Sequence, residues 1–189
     1  KDYIDTKDDS YIKKYINLVF DNRIPNRKEY LLRKIDEDKV VLDKIIEDDL
    51  YLSYDISTYL ASDLDLISVF LKHKNRKIFV FLREEMLLKK YEESILLEYL
   101  IKNDLLDSYW IDEIKDKIII ELLVKYGKQE YLKYASEEVL LMKYDKNKTV
   151  LEFLIENNYA IDKTIKEVQE PVVYDLLIQY NKTNLLKHL

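Results

Sequence analysis

Three stretches of this chain lie over one another in register. RKEYLLRKIDEDKVVLDKIIEDD from Arg27, REEMLLKKYEESILLEYLIKND from Arg83 and SEEVLLMKYDKNKTVLEFLIENN from Ser136 align paired leucines at Leu31-Leu32, Leu87-Leu88 and Leu140-Leu141, 56 and 53 residues apart. A second landmark, apolar-Leu-acid, falls at Val41-Leu42-Asp43, Leu96-Leu97-Glu98 and Val150-Leu151-Glu152. A third falls at Leu71-Lys72-His73, Val124-Lys125-Tyr126 and Ile178-Gln179-Tyr180. Between the second and third landmarks the counts are 29, 27 and 27, and this link has the least shared sequence. Self-similarity at a fixed period of this length marks a repeat architecture. The organisation expected is a leader over residues 1–26 followed by repeats at 27–82, 83–135 and 136–189 in one continuous array.

The apolar spacing inside each repeat is helical. In the third, Ser136 is a good N-cap ahead of Glu137 and Glu138, and a first helix is expected to run to about Tyr144. The spacing predicts a second helix from Thr149 to about Asn157, a weak helical turn over Asp162 to Val168, and a third helix from Pro171 to Tyr180. A fourth short helix closes each repeat, at Arg76 to Leu82, Lys128 to Tyr134 and Lys182 onward. The chain holds a single glycine. Gly127 and its counterpart Asn181 stand where a helix ends in the left-handed conformation, and Asn75, one place along, is expected to serve the first repeat. The leader predicts a helix from Ser10 to Asn22 that caps the array. No repeat has enough residues to enclose its own apolar stripes, so neighbours must stack and share a core. The fold class expected is all-α: a helical repeat solenoid of three stacked multi-helix units with an N-terminal capping helix.

Asp145-Lys146-Asn147-Lys148-Thr149-Val150-Leu151-Glu152-Phe153-Leu154, followed by Asn157-Asn158, resembles the opening of an ankyrin repeat, with its Asp-containing turn and its Thr-x-Leu at the head of the first helix. The helix with Leu176-Leu177 and the following Asn181 is similar to the second ankyrin helix and its end. The departures are Glu152 in place of the usual His, Thr149-Val150 in place of Thr-Pro, no Thr in the first two repeats, and a period of about 54 residues rather than ~33. The resemblance covers about half of each repeat. It implies an ankyrin-like build with an inserted helix pair.

Charge and composition narrow the function classes. With 31 Lys and Arg against 37 Asp and Glu, the net charge of −6 does not suit a phosphate backbone, so no nucleic-acid partner is expected. No apolar run reaches the ~20 residues of a bilayer span, and no membrane association is expected. One glycine leaves little with which to build a phosphate cradle or a strained nucleophile turn, and no cysteine leaves no thiolate for metal or catalysis. His73 aligns with Tyr126 and Tyr180, and His188 with Phe81 and Tyr134, so each histidine replaces a packing ring. Acid pairs such as Asp48-Asp49 and Glu137-Glu138 lie at helix ends, where capping explains them. Asp145-Lys146-Asn147 lacks the glycine and the twelfth-position Glu of a calcium loop. No catalytic residue, cofactor or metal is expected, and the chain is not expected to be an enzyme.

Tyrosine is the one excess, with 17 residues. Some are repetitive and therefore packing rings, such as Tyr91 and Tyr144. A smaller set sits in the variable links: Tyr51, Tyr54 and Tyr59, then Tyr109 with Trp110, then Tyr159. Variable segments of repeat proteins commonly map to one binding face, and Tyr and Trp are enriched at interface hot spots. The alternative is that they plug gaps between stacked units. The function expected is a non-enzymatic protein–protein interaction module, holding a protein partner through those six residues. A start at Lys1 without Met suggests a piece of a longer protein. A soluble setting, cytoplasmic or after delivery into a host cell, is expected over a membrane. A second reading makes the repeats the supporting or substrate-recruiting region of a bacterial effector or toxin enzyme whose catalytic domain lies elsewhere. The apolar ending Leu185, Leu186 and Leu189 also suits self-association through an open C-terminal end.

Overall fold

The computed structural model describes residues 26–49, 52–160, 162–168 and 171–188, with the backbone alone at 109, 167 and 188. It is mostly helical, and its one sheet among the described residues has two strands. The chain divides into two compact units, Lys1–Leu82 and Arg83–Leu189. The expected leader helix and its capping role lie outside the described residues.

In the first unit, helix Arg27–Leu31 leads into a bridge between Lys34 and Val40, then helices Val41–Glu47, Tyr54–Leu60 and Leu64–Lys72, and a 3-10 turn at Phe79–Phe81. Asp63 caps the last helix by accepting the Asp65 and Leu66 amides. Lys28 reaches across to Asp63 at 2.8 Å and Asp65 at 2.5 Å, tying the first helix to the head of that one. The inner faces are mainly apolar: Leu31, Leu42, Ile45, Leu60, Leu66, Ile67 and Phe70 are buried, with Asp43 and Ser57 among them.

The second unit runs through the same order of elements twice. Helix Glu84–Leu87, a hairpin of strands Lys90–Tyr91 and Ser94–Ile95, helices Leu96–Lys102, Ser108–Glu113 and Ile118–Lys125, and a 3-10 turn at Gln129–Tyr134 come first. Helix Glu137–Leu140, a bridge between Lys143 and Thr149, helices Val150–Glu156, Asp162–Glu167 and Val172–Gln179, and a 3-10 turn at Thr183–His188 follow. The two sets touch inside the unit, because the turn Gln129–Tyr134 packs on helices Val150–Glu156 and Asp162–Glu167. Thr164, 1% exposed, donates its hydroxyl to the Lys133 carbonyl at 2.8 Å across that contact.

Local chemistry sets the boundaries. The helix expected to reach Tyr144 ends at Leu140, because the chain turns back and pairs with itself: Val150 N–H donates to the Met142 carbonyl and Tyr144 N–H to that of Lys148. The Asp145 carboxylate accepts the Asn147 and Lys148 amides inside that turn, and Asp36 accepts the Asp38 and Lys39 amides in its counterpart. The oxygen that resembled a calcium ligand is occupied by its own loop. Helix Val150–Glu156 opens on a reciprocal cap, Thr149 Oγ1 accepting the Glu152 amide and the Glu152 carboxylate accepting the Thr149 amide at 2.6 Å.

Left-handed residues punctuate the chain at matching places. Asp49, Asp104 and Asn158 follow the second helix of each stretch, and Lys74, Gly127 and Asn181 follow the last α-helix. The stop expected at Asn75 is therefore one residue earlier, at Lys74, in register with Gly127. Asn75 instead accepts the Lys77 amide through its side chain. The expected fourth helices are 3-10 turns.

Candidate interaction surface

Of the six residues expected at a binding face, four have described side chains, two in each unit. Trp110 is 1% exposed and sits in the core of the second unit with Ile111 and Ile114. A side chain with no surface cannot meet a partner, so its place as a binding residue is corrected to packing. Tyr51 lies outside the described residues, and of Tyr109 only the backbone is described, in helix Ser108–Glu113. In the first unit Tyr54 is 65% exposed and leans edge-on against Phe81, with ring centres 5.4 Å apart. Tyr59 is half-buried, with the Arg27 guanidinium 5.7 Å from its ring centre. Tyr159 is 39% exposed and borders Phe153 in the second unit.

Conserved geometry between the stretches separates scaffold from surface. In the first two stretches the acid of the second landmark reaches outward to the end of the last α-helix. In the first unit the buried Asp43 accepts the Val40 amide at 2.7 Å and faces His73 Nε2 at 2.6 Å and Lys72 Nζ at 3.2 Å. Burial disfavours its ionised form, but the Val40 amide, His73 and Lys72 together hold its carboxyl below the usual carboxylate range. In the second unit Glu98 accepts from Lys125 Nζ at 2.5 Å and from the Tyr126 hydroxyl at 2.8 Å, and these two lower its pKa against a smaller effect of burial. An acid bonded to a histidine suggests acid–base chemistry. Because the same station carries Glu98 with Tyr126, the Asp43–His73 contact is a clamp between helices. A second set of ties recurs as Lys77 to Asp49, Lys128 to Asp104 and Lys182 to Asn158.

Beyond these clamps the second unit carries two pairs of packed aromatic rings. Tyr144 and Phe153 stack at 4.0 Å between ring centres and 15° between planes, with Tyr159 6.1 Å from Phe153. Tyr91 and Tyr99, the equivalent pair before it, meet edge-on at 4.9 Å. Burial pushes up the pKa of the Tyr144 hydroxyl against a hydrogen bond from Gln129. Burial, then Tyr99 and Glu92, push up that of Tyr91. Beside the Lys90–Ile95 hairpin opens a cleft of about 760 Å³, lined by Glu92, Glu93, Ser94, Glu98, Lys102 and Tyr126 among others. Cleft and stack are neighbours along the chain: Gln129 is three residues beyond Tyr126, a span of at most about 10 Å.

Tyr91 and Tyr144, expected as packing rings, are half-buried against Tyr99 and Phe153, and the sequence reading does not single out Phe153, Ser94 or Lys102. The signal for the last two was present in the alignment, where they replace a lysine and a glutamate held by both other stretches. Among the described residues no group of three His, Asp or Glu side chains is placed to hold a metal ion, and no helix is long and apolar enough to cross a membrane. No family model, curated protein or solved structure matches the chain.

Proposed function

We propose that this chain is a non-enzymatic protein-interaction module, an ankyrin-like helical solenoid of three stacked units that holds a protein partner on the hairpin side of residues 83–159. The observation that carries the reading is the run of surface aromatics, Tyr91 with Tyr99 and Tyr144 with Phe153 and Tyr159, beside an open cleft and outside the clamps that hold the helices together. Rigid aromatic side chains offer large contact area at low entropic cost, which is why they dominate interface energies. The contact between the turn Gln129–Tyr134 and the two helices after it supports stacking of the second and third units. The reading needs no metal or cofactor, and it leaves nucleic acid and membrane aside.

Affinity capture with the intact chain, compared with Tyr159→Ala and with Tyr144→Ala, tests it. A hot-spot residue loses about 2 kcal/mol on truncation, near a 30-fold loss of affinity. The expected result is loss of the captured partner by Tyr159→Ala with an unchanged thermal melting curve. Undiminished capture by both variants contradicts the proposal.

A further inference from the structure

The cleft beside the hairpin owes its opening to two substitutions. In the first stretch Lys39, at the hairpin end, pairs with Glu47 on the second helix at 2.8 Å. In the third, Lys148 pairs with Glu156 at 2.5 Å in the equivalent place. These ion pairs lash hairpin to helix. The middle stretch carries Ser94 and Lys102 at those two positions, and Ser94 turns its hydroxyl to the Ile95 carbonyl instead.

The hairpin itself is also altered. Its bridging residues Lys90 and Ile95 stand one residue closer in sequence than Lys34 and Val40 or Lys143 and Thr149, leaving Glu92 and Glu93 as a two-residue tip with Glu92 left-handed. The cleft is thereby left with carboxylates on the hairpin and, where the other two stretches hold Glu47 and Glu156, an ammonium on the helix. Glu98 at the cleft is already matched by Lys125. Glu92, Glu93 and Lys102 make no ion pair with one another or with any other described residue.

We propose that this cleft is a recognition site for a peptide segment of the partner that carries a basic and an acidic side chain close together, the basic one meeting Glu92 and Glu93 and the acidic one meeting Lys102. The Tyr99 ring at the same cleft covers the aliphatic stems. The inference rests on the interaction-module reading and supplies the partner's chemistry. Exposed ion pairs are individually weak, so the site contributes selection by order of charge more than affinity, and its binding weakens with salt.

The test uses the intact chain, labelled with ¹⁵N, and blocked alanine-based peptides with Lys and Glu two, three or four residues apart, alongside Lys-only, Glu-only and uncharged controls. The expected result is saturable shifts of the Ser94, Glu98 and Lys102 amides with at least one Lys/Glu peptide, weaker for every control and weaker at high salt. The double variant Ser94→Lys/Lys102→Glu installs the lashing pair of the other two stretches. It keeps or raises the melting temperature and lowers peptide affinity about tenfold, the equivalent of 1.4 kcal/mol. Lys102→Gln, which leaves the hairpin untouched, removes the preference for Glu-containing over Lys-only peptides. Absence of shifts with every peptide, equal response to the Lys-only control, or unchanged affinity in the double variant overturns the proposal. If the double variant still captures the partner while Tyr159→Ala does not, the cleft inference fails and the interaction-module reading stands.

Discussion

Helices Ser108–Glu113 and Asp162–Glu167 occupy the same station in successive stretches of the second unit, and they fill it differently. Counted back from the third landmark, Trp110 and Thr164 are equivalent, each 14 residues before Val124 and Ile178. Both are 1% exposed, and Ile111 with Ile165 and Ile114 with Val168 are buried beside them. One slot takes an indole and the other a methyl with a hydroxyl that donates to the Lys133 carbonyl. Sequence divergence in the link thus reflects two ways of closing a core, and the divergence that opens a surface lies at the hairpins.

The largest expected effect comes from exchanging these fillings. Trp110→Thr leaves an unfilled volume in a packed core and is expected to cost about 3–5 kcal/mol, the range for removing a buried Trp ring. Thr164→Val keeps the shape and strips the donor from the Lys133 carbonyl, at about 1–3 kcal/mol. Chemical denaturation of each variant measures both. A Trp110→Thr cost below that of Thr164→Val breaks the equivalence.

The clamps give the next comparison. Asp43→Ala removes a carboxylate 3% exposed that serves an amide, an imidazole and an ammonium, and about 2–3 kcal/mol is expected from loss of hydrogen bonds to a charged group. Glu98→Ala, whose carboxylate is 18% exposed, is expected to cost about half as much. The Asp43 carboxyl holds its proton less tightly folded than unfolded. The unfolded chain therefore binds more protons, so this contribution is complete above about pH 4 and is lost as pH falls through the lower folded value. Urea midpoints below pH 4 should fall less steeply in Asp43→Asn than in the unaltered chain.

Helix ends allow the finest comparison. Gly127→Ala forces a Cβ into φ +67° with no neighbour within 4 Å, so only backbone strain of about 1–2 kcal/mol is expected. Lys74→Gly relaxes the same conformation in the first unit and is expected to stabilise by about 0.5–1 kcal/mol. Thermal melting reads both, and equal shifts of the same sign would break the correspondence.

Much of this was written in the sequence. Leucine pairs, the acid after the second leucine and the Gly127 and Asn181 stops all follow from periodicity and capping chemistry, which act locally. Lys74 was missed because lysine has no propensity for the left-handed region; the residues on either side decide its conformation. The burial of Trp110 was illegible for a different reason. An aromatic in a short variable helix has the same local signature whether it plugs a core or meets a partner, and only long-range packing distinguishes the two. Ser94 and Lys102 were legible as departures from the alignment, but their meaning needed the ion pairs of the other two stretches.

The chain has one tryptophan among 17 tyrosines, so fluorescence excited at the red edge of the indole band, where tyrosine does not absorb, reports on Trp110 alone. Acrylamide quenching of the native protein, set against the same protein in denaturant, asks directly whether the link packs inward. A buried indole predicts blue-shifted native emission and little quenching until the chain unfolds; red-shifted native emission, quenched as readily as in denaturant, would return Trp110 to the surface and contradict the division between scaffold and proposed binding face.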